Sequence, residues 1–378
     1  MPGFIYNGFP YIRVLQKTIR MMKRMLLGAC LLGLLFSCDL EKQKLHGYDE
    51  VAFPETVETM GAINSIDDDY NSNLQTVGAV SALTFSSKRG GRRDFDFVRE
   101  SLNYSYDLRS GLFSFDYTPY GGLDVVQELA PVGWAASIAN SSANELGPYI
   151  QSYDRDLIKD GFNRHYGEYL MLFASDRTGN LDIYLTHNYR KNPTGASAIP
   201  GSTTAITSKT FSDPVPVACL NSPADDGYPT FDRNFKSLYF TSNRGGSFDV
   251  FKATLPAITP TEWQNQLPAL ADVAIERVAE LSSSADDKCP FILGNRLVFT
   301  SNRPGGYGGY DLYYSQWDGS RWSAPINFGP AINTASDEYR PILTGIESYT
   351  NQLMIFSSNR PGGKGGFDLY RVGVPKMN

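Results

Sequence analysis

Arg303 stands beside Gly305, Gly306, Gly308 and Gly309 in the run SNRPGGYGGYDLY, Ser301 to Tyr313, a combination that could hold a phosphate. Glycines let backbone N–H groups close on an anion, and a guanidinium would match its charge. The chain repeats the run 57 residues later as SNRPGGKGGFDLY, Ser358 to Tyr370. A short β-branched and aromatic stretch follows each copy, whereas a phosphate loop needs a helix N-terminus next. Gly363-Lys364-Gly365 also lacks the Ser or Thr that would reach magnesium. The pattern predicts a hairpin turn, and no cofactor.

Other chemistries find less support. Glycosidic cleavage needs two carboxylates on one face, roughly 5 to 10 Å apart. The conspicuous acids all belong to a repeat, and Glu168 and Asp154 outside it carry no flanking signature. A hydrolase elbow, G-x-S-x-G, is missing from the sequence. His46, His165 and His187 have no metal-ligand spacing. Cys219 and Cys289 fall at different points of the repeat, which predicts two buried free thiols, with a disulfide as the alternative.

The elements that would position these residues come from that repeat. Five segments share one frame: Phe85 to Arg89, Phe173 to Arg177, Phe240 to Arg244, Phe299 to Arg303 and Phe356 to Arg360. Each continues through a turn to an aromatic or leucine, an aspartate (Asp96, Asp182, Asp249, Asp311, Asp368) and two apolar residues. Each unit therefore reads as a β-hairpin. An acidic pair and a proline precede the later four hairpins: Asn144-Glu145 with Pro148, Asp225-Asp226 with Pro229, Asp286-Asp287 with Pro290, Asp337-Glu338 with Pro341. Asp67-Asp68-Asp69 matches in part, without the proline. A strand-like piece lies ahead of each pair and another after the proline. Four short strands recurring at intervals of 57 to 88 residues predict an all-β fold, a single β-propeller. Five blades are expected, with six as the alternative if the gap between Arg89 and Arg177 hides one. A helical period is expected only at Asp272 to Leu281.

The run Trp322 to Leu369, with Ile332-Asn333-Thr334, Asp337-Glu338-Tyr339-Arg340-Pro341 and Ser358-Asn359-Arg360-Pro361-Gly362-Gly363, resembles the TolB-type, WD-repeat-like propeller blade. Such blades are common in envelope proteins of Bacteroidetes, often joined to an OmpA-like domain. The resemblance implies a cell-envelope role and usually six blades. The chain ends eight residues after Tyr370, so no OmpA-like domain is expected after it. The last hairpin then lacks its outer strand, and Val51 to Met60 is the segment expected to supply it and close the ring.

The repeated charges Arg89, Asp96, Arg177, Asp182, Arg244, Asp249, Arg303, Asp311, Arg360 and Asp368 are expected to form structural ion pairs and hydrogen bonds together with the preceding acids, the partner of Arg303 being Asp311 or Asp287. Trp263 and Trp322 read as packing. Ligand contacts are expected where the repeat is interrupted: Tyr104, Tyr106, Tyr117 and Tyr120 in Ser101 to Gly122, and Tyr189 in His187 to Thr207. The alternative is that these are alternating strand residues and a loop.

Met21-Met22-Lys23-Arg24 and the apolar run Met25 to Phe36 read as a signal peptide ending in Leu35-Phe36-Ser37-Cys38, which resembles a lipoprotein lipobox. Cys38 is the expected lipidated residue, ahead of its rival Cys30. Residues 1–20 precede a plausible start at Met21. Residues 1–37 are thus read as a signal peptide, 38–50 as a linker and 51–378 as the propeller. Removing the leader takes five bases and leaves 29 against 40 acids, a net of −11, which argues against nucleic acid or anionic lipid as the main partner. The expected function is a lipid-anchored, non-enzymatic binding or scaffold module for an envelope protein, peptide or glycan, at the outer membrane. The alternatives are a structural part of a secretion or gliding machine and a propeller glycoside hydrolase.

Overall fold

A computed structural model describes residues 50–77, 80–118, 129–159, 165–188, 211–257 and 262–377. Cys38 and the leader lie outside them, as do Tyr120 and Tyr189. Contacts divide the chain into a small unit, to which the turn Asp107–Leu112 belongs, and the propeller, Glu50–Tyr106 with Phe113–Asn378. In the turn, Asp107 accepts from the Arg109 N–H and the Ser110 hydroxyl.

The propeller has five antiparallel sheets of four strands. Blade 1 is β2 (Asp69–Val77), β3 (Val80–Ser87), β4 (Asp96–Asp107) and β5 (Leu112–Thr118), and blade 2 is β6 (Glu145–Lys159), β7 (His165–Ser175), β8 (Asp182–His187) and β9 (Val215–Pro216). Blade 3 is β10 (Asp226–Phe231), β11 (Ser237–Ser242), β12 (Asp249–Thr254) and β13 (Ala274–Arg277). Blade 4 is β14 (Asp287–Leu293), β15 (Arg296–Ser301), β16 (Asp311–Gln316) and β17 (Ile326–Asn327). Blade 5 is β18 (Glu338–Thr344), β19 (Asn351–Ser358) and β20 (Asp368–Pro375), completed by β1 (Glu58–Thr59) from the other end of the chain.

The ring closes as expected, by fewer strand residues than Val51 to Met60. β1 pairs only Glu58 with Arg371 and Thr59 with Tyr370. The rest of the segment is tied by other bonds. Asn351 accepts from the Phe53 N–H and donates to its carbonyl, both at 2.8 Å, and the Gly373 N–H reaches the Pro54 carbonyl at 2.6 Å. Phe53 is buried and stacks on Tyr349 with ring centroids 4.1 Å apart.

Packing follows the repeat. Phe85, Phe173, Phe240, Phe299 and Phe356 hold the same place in the five blades, and all are fully buried. Each removes an aromatic side chain from water, contributing about 2 kcal/mol. Cys219 and Cys289 are buried free thiols.

Three local expectations change. The innermost strand of each blade starts at the second acid and not after the proline. The proline sits in a β-bulge, as at Gly227/Thr230, Lys288/Phe291 and Tyr339/Ile342, where its missing N–H breaks no ladder bond. Among the described residues, the gap after Arg89 holds the long strands of blades 1 and 2 and one helix, α1 (Ala130–Ala139). That helix, APVGWAASIA, has no polar face to give a period, because Val132, Ala135, Ala136 and Ala139 are buried with Phe97 and Phe173. Asp272 to Leu281 is not a helix: Ala274–Arg277 pairs with the edge of β12.

The double glycines have a packing cause. A Cβ on Gly308 would collide with the Ser336 carbonyl, and one on Gly365 with the Asp67 carbonyl. In blades 4 and 5 the turn therefore rests directly on the backbone of the next acidic loop.

Candidate functional site

Each buried second acid collects the same bonds. Arg89 meets Asp69 at 3.1 Å, Arg177 meets Glu145 at 3.0 Å, and Arg244 meets Asp226 at 2.7 Å. Arg303 meets Asp287 at 2.6 Å and Arg360 meets Glu338 at 3.0 Å. The same guanidinium also donates to the carbonyl of Ile63, Ala139, Leu220, Leu281 or Ile332 just upstream. It lies about 5 Å over the repeated Phe ring, 5.2 Å in the case of Arg303 and Phe299. Burial pushes the Glu145 carboxyl up, against the Ser141, Ser175 and Arg177 contacts that favour its charge.

Of the two acids expected near each arginine, the preceding one is its partner, and the hairpin aspartates do not pair with the arginine of their own hairpin. Asp287, Ser301 and Asp311 stand in register across three strands, and Arg303 folds back over the inner strand. Asp311 is wrapped by its turn instead, accepting from the Tyr307 N–H at 2.6 Å and the Gly308 N–H at 3.0 Å. Asp368 does the same with Lys364 and Gly365. Asp182 accepts from Thr178 and Asn180, Asp96 pairs with Arg92, and Asp249 pairs with Arg277 at 2.8 Å.

The first member of each pair clamps neighbouring blades. Asp68 accepts from the Phe367 N–H, Asn144 from Phe95, Asp225 from Leu181, Asp286 from Phe248 and Asp337 from Tyr310, all between 2.9 and 3.1 Å. Burial raises Asp286, but the Tyr310 hydroxyl, the Phe248 N–H and Lys288 outweigh it and hold the carboxyl below its usual range.

Toward the axis, the bulge puts one residue per blade at positive φ: Asn71 at 55°, Gly147 at 57°, Tyr228 at 55°, Cys289 at 57° and Arg340 at 47°. Arg340, fully buried, donates to the carbonyls of Pro290 at 3.2 Å and Pro148 at 3.1 Å. Burial keeps Tyr70, Tyr228 and Tyr339 protonated and pushes the Cys289 thiol up to about 12.

Around this plug runs an aromatic crescent. Tyr70 lies 5.8 Å from Phe95, 5.0 Å from Phe367 and 5.3 Å from Tyr339, and Tyr339 lies 5.1 Å from Tyr310. It is interrupted at blades 2 and 3. Leu146 and Gly227 hold the place of Tyr70 and Tyr339, and Leu181 that of Phe95, Tyr310 and Phe367. A hollow of about 300 Å³ opens there, lined by Leu146, Leu181, Tyr228, Phe248 and Tyr339 with Asp176, Asn180, Asp225 and Lys288. A larger hollow of about 490 Å³ lies beside Trp322 and the turn Asp318–Arg321. Its indole is spent on the Tyr239 hydroxyl at 3.2 Å, so the axial hollow is the better candidate site.

Of the expected ligand tyrosines, the described ones, Tyr104, Tyr106 and Tyr117, do not line this hollow. Tyr104 is buried, edge-on to Phe53 at 5.7 Å, because it is an inward-facing residue of β4. Tyr106 and Tyr117 are half-buried against the core, and burial with the Glu100 contact raises Tyr117. Tyr120 and Tyr189 fall outside the described residues. The frame shared by the five units carries no signal for the lining residues, which stand where the units differ. Aligning the five units by position exposes Leu146, Gly227 and Lys288 as departures at one place and Leu181 at the other. Among the described residues no group of acids, histidines and cysteines is placed to hold a metal.

No protein-family model matches the chain, and no curated protein matches it. Solved structures do. An endo-arabinase from Bacteroides thetaiotaomicron is 10% identical with a TM-score of 0.44, over 87% of this chain and 98% of that one. An α-L-arabinofuranosidase from Lactobacillus brevis is 11% identical with a TM-score of 0.44, over 84% and 96%. Another from Podospora anserina is 8% identical with a TM-score of 0.42, over 87% and 98%. None of the three is described as a TolB-type protein. The five-bladed ring itself rests on the strand pairing.

Proposed function

We propose that the protein is a non-enzymatic binding module that takes its ligand in the axial hollow of blades 2 and 3. The observation that carries this is that the hollow lies where the five-fold pattern is broken, while the repeated charged residues are committed to holding blades together. Its partner is an envelope protein, peptide or glycan. The module is anchored to the cell envelope, at the outer membrane, through lipid on Cys38. Cys38→Ala is expected to release it from membranes, and mature lipid-labelled Cys38→Ala protein would refute the anchor.

Leu146→Trp fills the hollow from a position that carries Tyr in two other blades. On a panel of glycans and peptides, the wild type is expected to retain ligands that Leu146→Trp loses, with unchanged melting. Ligand retention untouched by this change would refute the site.

The glycoside-hydrolase alternative has one observation in its favour: Asp176 and Asp225 line the same hollow. Against it, each carboxylate is engaged by amide groups, Asp176 by Asn144 and Asp225 by Leu181 and Asn243. Release of reducing sugar from arabinan or xylan by wild type, and not by Asp176→Asn, would favour the hydrolase. The machine-component alternative predicts stable co-purification with other envelope proteins and no retention of small ligands.

A further inference from the structure

Blade 2 reverses one detail of the repeat. In blades 3 and 5 an aspartate precedes the buried acid and an asparagine stands in the hairpin turn. The Asp225 N–H meets Asn243 Oδ1 at 2.8 Å, and Asn243 Nδ2 meets Asp225 Oδ2 at 3.3 Å. Asp337 and Asn359 make the same two bonds, at 2.8 and 3.0 Å. Blade 4 keeps these residue types in Asp286 and Asn302, with the first bond at 2.8 Å.

In blade 2 the two side chains change places. The Asn144 N–H meets Asp176 Oδ1 at 2.8 Å, and Asn144 Nδ2 meets Asp176 Oδ2 at 2.7 Å. The exchange keeps two hydrogen bonds and so gives the fold nothing new. What it moves is a negative charge, onto the turn where Asp176 lines the axial hollow together with Asp225 of blade 3.

The hollow's own cation does not cancel that charge. Lys288 lies 3.3 Å from Asp286 and 4.0 Å from the centroid of Phe248, so its charge is already matched. Asp176 and Asp225 make no ion pair among the described residues. The two carboxylates stand beside Tyr228, Tyr339 and Phe248, of which Phe248 already faces Lys288 and Tyr228 faces Arg340, and it is the carboxylates that favour a cation with an apolar stem over an anion. The net charge of the chain, −6, has the same sign and draws a basic partner. At about 300 Å³ the hollow is at the small end of ligand sites and suits one side chain rather than a length of polymer.

We infer that the axial hollow receives a single arginine or lysine side chain of a partner protein, held between Asp176 and Asp225. The inference rests on the binding reading above and adds the chemistry of the ligand.

The test uses the full chain and two probes, the capped peptide acetyl-Gly-Arg-Gly-amide and its citrulline counterpart, titrated by calorimetry at low and high salt. Wild type is expected to bind the arginine peptide at least tenfold more tightly than the citrulline peptide, and more weakly as salt rises. The double variant Asn144→Asp with Asp176→Asn restores the arrangement of the other blades at unchanged net charge. It is expected to melt like the wild type and to lose the tenfold preference.

Equal affinity for the two peptides, no binding of either, or a preference that survives the exchange would overturn the inference. If the arginine peptide fails but a neutral oligosaccharide binds and Leu146→Trp abolishes it, the binding reading stands and only the cationic ligand falls. If no ligand responds to Leu146→Trp, both fall.

Discussion

Arg340, on the innermost strand of blade 5, donates to the carbonyl of Pro148 on the innermost strand of blade 2, 3.1 Å away across the axis. Its other terminal nitrogen reaches Pro290 of blade 4. One side chain thus spans three blades and closes the channel. Gly147, beside Pro148, leaves room for Tyr228, since a Cβ there would come within 2.5 Å of its ring, and Arg340 lies 5.7 Å from that ring's centroid.

Removing Arg340 leaves a cavity and two unpaired carbonyls. Arg340→Ala should cost roughly 2 to 4 kcal/mol in urea unfolding. Arg340→Met should cost clearly less, because burial penalises the guanidinium and the replacement is of similar length. Equal losses for the two variants would show that the carbonyl bonds, and not the filled volume, hold the ring.

The repeated arginines should prove structural. Arg303→Ala takes the counter-charge from Asp287, whose side chain has no exposed surface and keeps, among the described residues, only the Ser283 bonds, and should cost about 3 kcal/mol. Asp311→Asn keeps an acceptor for the turn N–H groups and should cost about 1 kcal/mol or less. Unfolding midpoints check both, and a larger loss at Asp311 would reverse the assignment of the ion pair.

Closure depends on few residues. Removal of residues 39–48 should leave melting unchanged. Extending the deletion to Met60 removes β1, Phe53 and the Asn351 bonds, exposing the edge of β20. That variant should melt far lower or aggregate, and equal melting of the two would refute closure by this segment.

Acid should weaken blade 2. Burial lowers His187 from 6.5 to about 4. A base depressed on folding contributes stability that is complete above its unfolded value and lost as pH falls through the folded one. Between pH 6.5 and 4 the wild type should therefore lose stability faster than His187→Gln, as read from urea midpoints across that range.

Much of the fold was legible because a propeller writes the same local rules several times. The hairpin signature Phe-x-Ser-x-Arg, its turn and the aspartate after it marked five blades without any long-range knowledge. The spare segment ahead of Asp67 marked the closure. These are short-range facts of strand period, turn chemistry and order along the chain.

Partner choice depended on the third dimension. Arg303 is 8 residues from Asp311 and 16 from Asp287, yet it bonds Asp287, because strand register turns the nearer acid into the glycine turn. α1 gave no period because all its faces are apolar or small. The hollow was invisible for a related reason. It lies where Leu146 and Leu181 stand in places that other blades fill with aromatic rings, and only folding brings those two together with Asp176 and Asp225. Sequence by itself determined the repeated blades and the segment that closes the ring, since each is a local pattern, whereas the strand pairing decided five blades over six. The tertiary structure decided which charges pair, what plugs the axis and where a ligand has room, since those depend on side chains from different blades meeting in space.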